Sequence, residues 1–108
     1  TSTPKGDLTE IECLRSVFGP RIGQIPVSSN KSQIGHSLGA SAAIEAALTI
    51  EGMQQGLILP TINHLPDPQF DDIDVVPGPQ ARPQVHEIVL SNAFGFGGTN
   101  CCVVLRGL

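Results

Sequence analysis

The sequence predicts an α/β fold. One segment near the start has apolar residues at helical spacing, a second helix looks apolar almost all round, and two strand-like runs flank a glycine-rich turn near the end. With 108 residues, the chain is long enough for one small domain with one modest core. We therefore expect helices and short strands to alternate before a terminal antiparallel strand pair.

The first helix is predicted over residues 8–18. Asp7 resembles an N-cap and Glu10 the N3 residue of a capping box, and Gly19-Pro20 should end the helix. The apolar positions at helical spacing are Leu8, Ile11, Leu14 and Phe18.

A short strand, a loop and a long helix are predicted next. The strand is Ile25–Ser29, although its proline weakens the prediction or places it at the strand start. The loop runs from Asn30 to Ile34, and Gly35 or Ser37 then opens a helix that extends to about residue 55. Small residues early in that helix allow close approach of neighbouring backbone, so we expect it to be central and buried. These residues are Gly39, Ala40, Ser41, Ala42 and Ala43.

The remaining segments complete the predicted fold. Residues 57–60 should be extended, and the Pro- and Asp-rich stretch 63–83 should be a long surface excursion with a small strand at 73–76. The strands 86–93 and 101–106 should pair antiparallel around the turn 94–100.

Charge and cysteine content exclude several classes of function. A net charge of −4 at pH 7 argues against a basic surface for nucleic acid or for an anionic membrane. The longest segment with few charges, 34–50, still contains His36 and Glu45, which indicates a buried helix rather than a membrane span. The chain start has no signal-peptide pattern. The odd cysteine count with an adjacent pair predicts reduced, buried thiols in a reducing compartment, at Cys13, Cys101 and Cys102.

His36 and Lys31 are the first candidates for chemistry. The positive end of a helix dipole near His36 favours a neutral imidazole, which can donate a hydrogen bond to a developing oxyanion. A carboxylate in a buried helix needs a partner, so Lys31 could pair with Glu45, and with Asp7 or Glu10. The alternative is that His36 merely caps the helix and Lys31 is a solvated surface charge.

Two further segments are less specific by themselves. The glycine-rich stretch 94–100 could cradle a phosphate, but such a loop needs a following helix N-terminus, and here a strand follows. Its alternative is a tight turn whose glycines supply unusual backbone angles. Thr1 and Thr3 are alternating hydroxyls at the chain start, which by spacing alone indicates a disordered terminus.

Taken together, the motifs resemble those of β-ketoacyl-acyl carrier protein synthases of the elongating, fatty-acid type. The segment 1–7 is similar to the stretch after the first catalytic histidine of that family, and 28–40 is similar to its lysine and second-histidine motif. The segment 92–100 is similar to its C-terminal glycine-rich loop, and 60–63 to a segment between these two. The similarity covers essentially the whole chain, 1–108, in the family's order.

The resemblance implies a thiolase-like fold, a layered αβαβα arrangement of two similar halves, of which this chain supplies most of the second. It implies no cofactor and no metal, because the substrates are carried on the phosphopantetheine of acyl carrier protein. The implied partners are acyl carrier protein, the remaining N-terminal part of the synthase and a second copy in a homodimer. The implied reaction transfers an acyl chain to a cysteine, then decarboxylates a malonyl thioester whose enolate attacks that acyl group.

The resemblance also implies roles for individual residues. His36 matches the second catalytic histidine, which stabilises the enolate, and Lys31 matches a lysine that organises the site through carboxylates. Glu45 matches the buried partner of that lysine, and we expect Asp7 and Glu10 in the supporting network. The residues matching the phosphopantetheine contacts are Thr1 and Thr3. The residues matching the gating loop are Phe94, Gly95, Phe96, Gly97 and Gly98.

Two departures and three alternatives qualify the resemblance. The family's nucleophilic cysteine and first catalytic histidine lie upstream of the matched motifs, so we expect this chain alone to be inactive. We also expect it to be poorly soluble alone, because it should expose apolar surface where the first half packs. A polyketide ketosynthase module is disfavoured, because Ser2 and Cys102 replace the glycine and histidine usual there. A non-catalytic partner subunit is disfavoured by the presence of Lys31 and His36, and the third alternative is an unrelated α/β binding domain. The simplest location is the bacterial cytoplasm, with a plastid or mitochondrion as alternatives.

Overall fold

The computed structural model describes residues 1–107 as three α-helices and six strands, with short 3₁₀ turns between them. The helices are α1 (Pro4–Phe18), α2 (Lys31–Ile34) and α3 (Ser41–Gln55). The strands are β1 (Pro26–Val27), β2 (Leu57–Ile58), β3 (Asp74–Val75), β4 (Arg82–Pro83), β5 (Ile88–Phe94) and β6 (Asn100–Arg106). β1 pairs with β3 in parallel, whereas β2–β4 and β5–β6 are antiparallel.

Helix α1 begins earlier than the sequence predicts. Thr3 is the N-cap, and Pro4 follows at the first helical position, where its missing N–H costs no helical hydrogen bond. The predicted capping box at Asp7 and Glu10 is therefore wrong, and Asp7 instead lies in the first turn, where its charge complements the helix dipole. The predicted end is confirmed, because Gly19 terminates α1 with φ 54.

The region between β1 and α3 also differs from its prediction. The expected loop 30–34 is largely the single helical turn α2, which ends at Gly35 with φ 75. A 3₁₀ turn at Leu38–Ala40 then leads into α3, so the long helix begins later than predicted. Its predicted end at Gln55 is confirmed, with Gly56 in the left-handed conformation as the cap.

The small sheet around β3 holds most of the buried apolar core. Val76, only 1% exposed, donates its N–H to the Val27 carbonyl (2.9 Å), and its carbonyl accepts from the Thr61 N–H (2.8 Å). The small strand predicted at 73–76 is confirmed as β3. The surface position predicted for this stretch is wrong there, because parallel pairing with β1 draws Ile73 and Val76 into the interior.

The β5–β6 hairpin confirms the predicted antiparallel pair. Its register runs from Ile88 opposite Arg106 to Phe94 opposite Asn100. The hairpin packs on α3, but the described chain leaves many apolar side chains uncovered. Prominent among these are Phe96 (94% exposed), Leu38 (67%), Val104 (63%) and Ile88 (61%).

The predictions of a fully buried α3 and of buried cysteines are wrong for this chain. Within α3 only Ser41, Glu45 and Gly52 are buried, and the three cysteines are exposed. The exposed surface is 7372 Å², whereas a folded monomer of 11.3 kDa exposes about 5,700 Å². The reason is that no further layer of the described chain covers the outer sides of α3 and the hairpin.

Gly52 marks the closest approach between α3 and the chain that follows it. A Cβ at this position would lie 2.8 Å from the Leu57 carbonyl oxygen. Because this oxygen belongs to the backbone, the clash could be relieved only by a shift of the main chain. We expect Gly52→Ala to lower the unfolding free energy of the complete protein by roughly 1–3 kcal/mol, measured by urea denaturation. Gly39→Ala is the matched control, because a Cβ there meets no atom of the described residues within 4 Å. Equal stability of the two variants would contradict this packing.

The Arg82–Asp74 pair makes part of the stability dependent on pH. Arg82 donates two hydrogen bonds to Asp74 (2.6 and 2.7 Å), and these bonds hold the pKa of Asp74 below its ordinary value of 3.8. Because the folded-state pKa is depressed, this stability is present above pH 3.8 and is lost as pH falls through the folded pKa.

We therefore expect Asp74→Asn to cost roughly 1 kcal/mol at pH 7, a difference that shrinks below pH 3.8. Urea unfolding of both proteins between pH 7 and pH 3 measures it. A deficit that stays constant over this range would show that the pair does not act through its charge.

Candidate active site

Lys31 and Glu45 form the charged centre of the candidate site. Lys31 is the first residue of α2, and its Nζ donates a hydrogen bond to Oε1 of Glu45, in the second turn of α3. The two side chains are 20% and 11% exposed, so the pair is largely shielded from water. The predicted pairing of Lys31 with Glu45 is confirmed.

Asp7 and Glu10 do not join this pair. Both lie on α1, and neither forms an ion pair with Lys31 among the described residues. The expectation that Lys31 also pairs with one of these two carboxylates is wrong within the described chain, because the carboxylate that reaches the Lys31 ammonium is that of Glu45 on α3.

The imidazole of His36 is fixed through one of its two nitrogens. Nδ1 accepts a hydrogen bond from the Leu38 N–H (3.1 Å) and lies 3.0 Å from the Ser41 hydroxyl. Because a backbone N–H can only donate, Nδ1 carries the lone pair and the ring proton is on Nε2. Nε2 makes no hydrogen bond within residues 1–107, and the ring is exposed. The ring of this exposed residue therefore keeps one hydrogen-bond donor that the described chain does not use.

The structure confirms the capping interpretation of His36, and the oxyanion-donor interpretation stays a prediction. The residue stands two positions before the 3₁₀ turn rather than at the start of α3, and its Nδ1 satisfies the backbone of that turn. This capping contact fixes the tautomer, which leaves Nε2–H available as a donor.

Ser41 is the residue of this site whose role sequence reasoning missed. Its side chain is buried, and its hydroxyl accepts from the Ser37 N–H (3.0 Å) while contacting Nδ1 of His36. The sequence suggested only a small residue for close packing. The signal that could have identified it is a hydroxyl five residues after a histidine at a helix start.

Thr1 and Thr3, the residues predicted to contact phosphopantetheine, have their hydroxyls next to each other. The two Oγ1 atoms lie 3.1 Å apart, and both residues are exposed. Gly6 permits this arrangement, because a Cβ there would lie 2.5 Å from the Thr3 Oγ1 and 3.2 Å from the Thr1 Oγ1. Both hydroxyls therefore lie against the first turn of α1.

The glycine-rich segment is a tight turn between β5 and β6. The Gly95 N–H donates to the Thr99 carbonyl (2.7 Å), and Gly97 and Gly98 adopt φ of 79° and 82°. A strand follows this turn, so the phosphate-loop interpretation is wrong and the tight-turn interpretation is confirmed. Phe94, at the end of β5, is 56% exposed, so its ring has room to move within the described chain.

This arrangement can stabilise negative charge but cannot supply a lysine nucleophile. The Lys31 ammonium donates to Glu45, and an ammonium has no lone pair for attack. The available donor is Nε2–H of His36, and the hydroxyls of Thr1 and Thr3 add exposed hydrogen-bonding groups.

Comparison with protein families identifies the chain. The family model described as "Beta-ketoacyl synthase, C-terminal domain" matches residues 1–64, which include Lys31, His36 and Glu45. The chain belongs to the β-ketoacyl synthase family. The resemblance seen in the sequence is thereby confirmed.

Curated relatives of this family extend the match to almost the whole chain. The 3-oxoacyl-[acyl-carrier-protein] synthase 2 of Synechocystis is 43% identical over 107 residues, which cover 98% of this chain and 25% of the relative. The chloroplastic 3-oxoacyl-[acyl-carrier-protein] synthase I of Arabidopsis thaliana is 41% identical over 95% of this chain and 21% of the relative. The synthase 2 of Staphylococcus aureus is 40% identical over 98% and 26%. The chain thus spans about a quarter of the length of these synthases.

A solved ketosynthase complex has the same fold over this region. The structure is a type II polyketide synthase acyl-carrier protein in complex with its ketosynthase bound to the hexaketide. The TM-score is 0.92 at 32% identity, over 99% of this chain and 26% of the matched one. The mixed helix and strand arrangement is therefore that of a quarter of a ketosynthase. No helix in residues 1–107 has the length and apolar character needed to cross a membrane.

Proposed function

We propose that this chain is the C-terminal quarter of a 3-oxoacyl-[acyl-carrier-protein] synthase that elongates fatty acyl chains. The observation that carries the proposal is the His36 ring, which is held through Nδ1 and has Nε2–H unused within the described chain, between the two partners of the shielded Lys31–Glu45 pair in sequence. The relatives at 40–43% identity bear this enzyme's name, which supports the proposal.

The reaction is a decarboxylative Claisen condensation. The bond between the malonyl carboxylate and its α-carbon breaks to release CO₂, and the electron pair forms an enolate on the thioester carbonyl. The enolate carbon then attacks the acyl thioester on a cysteine, whose thiolate leaves. The product is a 3-oxoacyl thioester on acyl carrier protein, longer by two carbons.

His36 stabilises the charge that develops in this reaction. Its Nε2–H donates a hydrogen bond to the thioester carbonyl oxygen as that oxygen becomes an enolate. The donor is oriented before the reaction by Leu38 and Ser41, so little reorganisation is needed when charge appears. The ion pair between Lys31 and Glu45 holds α2 and α3 in position relative to each other.

The other candidate residues contact the substrate carrier and the acyl group. Thr1 and Thr3 hydrogen-bond the phosphopantetheine arm through their paired hydroxyls. Phe94 moves beside the nucleophile as a gate, with Gly95, Phe96, Gly97 and Gly98 forming the loop that permits the movement. The exposed Phe94 ring and the open space around the two positive-φ glycines support this role.

The rest of the synthase completes the fold and the site. It supplies the nucleophilic cysteine and the first catalytic histidine, and its layers cover the exposed apolar surface of α3 and the hairpin. The whole is a thiolase-like αβαβα homodimer that takes acyl carrier protein as partner, in the bacterial cytoplasm or in a plastid or mitochondrion. The chain exposes about 1,600 Å² more surface than a folded monomer of this mass, which supports the proposal that further layers cover it.

A second candidate is the ketosynthase of a polyketide synthase. The fold match to a type II polyketide ketosynthase favours it, although that chain is 32% identical and the fatty-acid synthases are 40–43% identical. A non-catalytic partner subunit remains the third candidate, distinguished by the absence of a nucleophilic cysteine in the remaining sequence.

One assay separates these candidates. The complete protein is incubated with acyl-carrier-protein thioesters of saturated chains and with malonyl-acyl carrier protein, and the products are identified by mass spectrometry. We expect CO₂ release and a 3-oxoacyl product two carbons longer. Extension of poly-β-keto chains alone would favour the polyketide candidate, and no product from any primer would overturn the enzymatic proposal.

A further inference from the structure

Helix α2 carries Lys31 but is too short to hold its own position. It has four residues, and isolated helices of this length do not form in water. Its placement therefore depends on contacts with the rest of the chain. The same contacts set the path to His36, because only Gly35 separates α2 from the histidine.

Three hydrogen bonds fasten α2 and the residues just before it to the segment that follows β2. The Ser29 N–H donates to the Thr61 hydroxyl (2.9 Å), and the Ile62 N–H donates to the Ser32 hydroxyl (3.0 Å). The Gln33 amide donates to the Pro60 carbonyl (2.7 Å). We propose that these three side chains, Ser32, Gln33 and Thr61, form a clasp that positions Lys31 and His36 for the condensation step. This inference rests on the proposed function.

The segment on the other side of the clasp is itself firmly held. The Thr61 N–H donates to the Val76 carbonyl (2.8 Å), and the Gly78 N–H donates to the Thr61 carbonyl (3.1 Å). Val76 is the most buried apolar residue described, and Pro60 is buried as well. The clasp therefore attaches the four-residue helix α2 to the best-packed part of the described chain.

The Ser32 hydroxyl is engaged by contacts within the chain. It accepts from the Ile62 N–H and donates its only proton to the Ser29 carbonyl (2.9 Å), so it has no proton left to donate to a substrate. These side chains are positioning residues, and their effect on a reaction passes through Lys31 and His36. A displacement of about 1 Å in such a group can cost on the order of 100-fold in rate.

The test compares two half-reactions in the complete synthase. Thr61→Val keeps the side-chain shape but removes the acceptor, Thr61→Ser keeps the acceptor, and Ser32→Ala removes the second contact. Acyl transfer to the enzyme and condensation with malonyl-acyl carrier protein are measured separately, together with the melting temperature. Thr49→Val is the matched control, because the Thr49 hydroxyl makes no hydrogen bond among the described residues.

We expect Thr61→Val and Ser32→Ala to lower kcat for condensation by about tenfold or more, with KM for the malonyl substrate nearly unchanged. Acyl transfer should stay close to wild type, and Thr61→Ser should restore condensation. Unchanged condensation in both variants would overturn the clasp, as would an equal loss of both half-reactions, which indicates a structural role only. An inactive wild type in the same assay would instead remove the proposed function, and this inference with it.

Discussion

Replacing His36 by alanine in the complete synthase is expected to lower condensation by about 10²–10³-fold, the usual effect of removing one oxyanion donor. Nδ1 is used by contacts within the chain and Nε2–H is not, so alanine removes the free donor together with the cap of the 3₁₀ turn. Acyl transfer to the enzyme should persist, because the enolate forms only in the second stage. The measurement is the rate of CO₂ release from malonyl-acyl carrier protein beside the rate of enzyme acylation.

His86→Ala is the control for the loss of an imidazole as such. The His86 ring also uses Nδ1 for a local contact, with the Gln84 carbonyl (2.9 Å), but it lies outside the candidate site. We expect it to condense at nearly the wild-type rate. Wild-type condensation by His36→Ala, or an equal loss in both variants, would remove His36 from the catalytic step.

The second large effect concerns the Lys31–Glu45 pair and falls on stability as well as on activity. Lys31→Met should lower the unfolding free energy by roughly 3 kcal/mol, because it leaves the Glu45 carboxylate shielded from water without its partner. Condensation should fall too, since the α2 turn that leads to His36 loses its tie to α3. Urea denaturation and the condensation rate are measured on the same preparations.

A double variant separates the two effects. Lys31→Met combined with Glu45→Leu replaces the ion pair by apolar side chains, and such exchanges are often neutral for stability. We expect stability to recover while condensation stays low. Arg15→Met is the control for an exposed pair, since Arg15 and Asp72 are 32% and 50% exposed and their loss should cost less. A double variant that regains full condensation would show that the ion pair has only a structural role.

Local rules predicted the parts of the fold that local sequence determines. The end of α1 at Gly19 follows from the need for positive φ at the cap, and the β5–β6 hairpin follows from two β-rich runs around a glycine-rich turn. The prediction of a capping box at Asp7 was wrong because the helix begins earlier, with Pro4 at its first position, where proline is favoured.

Burial was harder to predict than secondary structure. An apolar α3 and the cysteines of β6 looked like core, but burial needs a covering layer, and the described chain supplies none on those sides. Conversely, the Asp- and Pro-rich stretch contributes Val76 to the core through a parallel pairing between distant segments, which no local pattern encodes.

The candidate site divides in the same way. The requirement that a buried carboxylate have a partner predicted that Lys31 pairs with Glu45, and the structure confirms it. The hydrogen bond of Thr61 was not predicted, since it joins segments whose approach depends on the tertiary fold. The contacts of Ser41 are local, five and four residues back to His36 and Ser37, and a local pattern could have indicated them. The resemblance provided the catalytic roles, whereas the structure provided the tautomer of His36.

The most direct measurement of the central claim is the denatured intact mass of the protein made from its native coding region, before and after incubation with acyl-acyl carrier protein. If this chain is the C-terminal quarter of an acylating synthase, the mass will be severalfold above 11.3 kDa and will rise by one acyl group. A mass near 11.3 kDa that gains no acyl group would contradict the account.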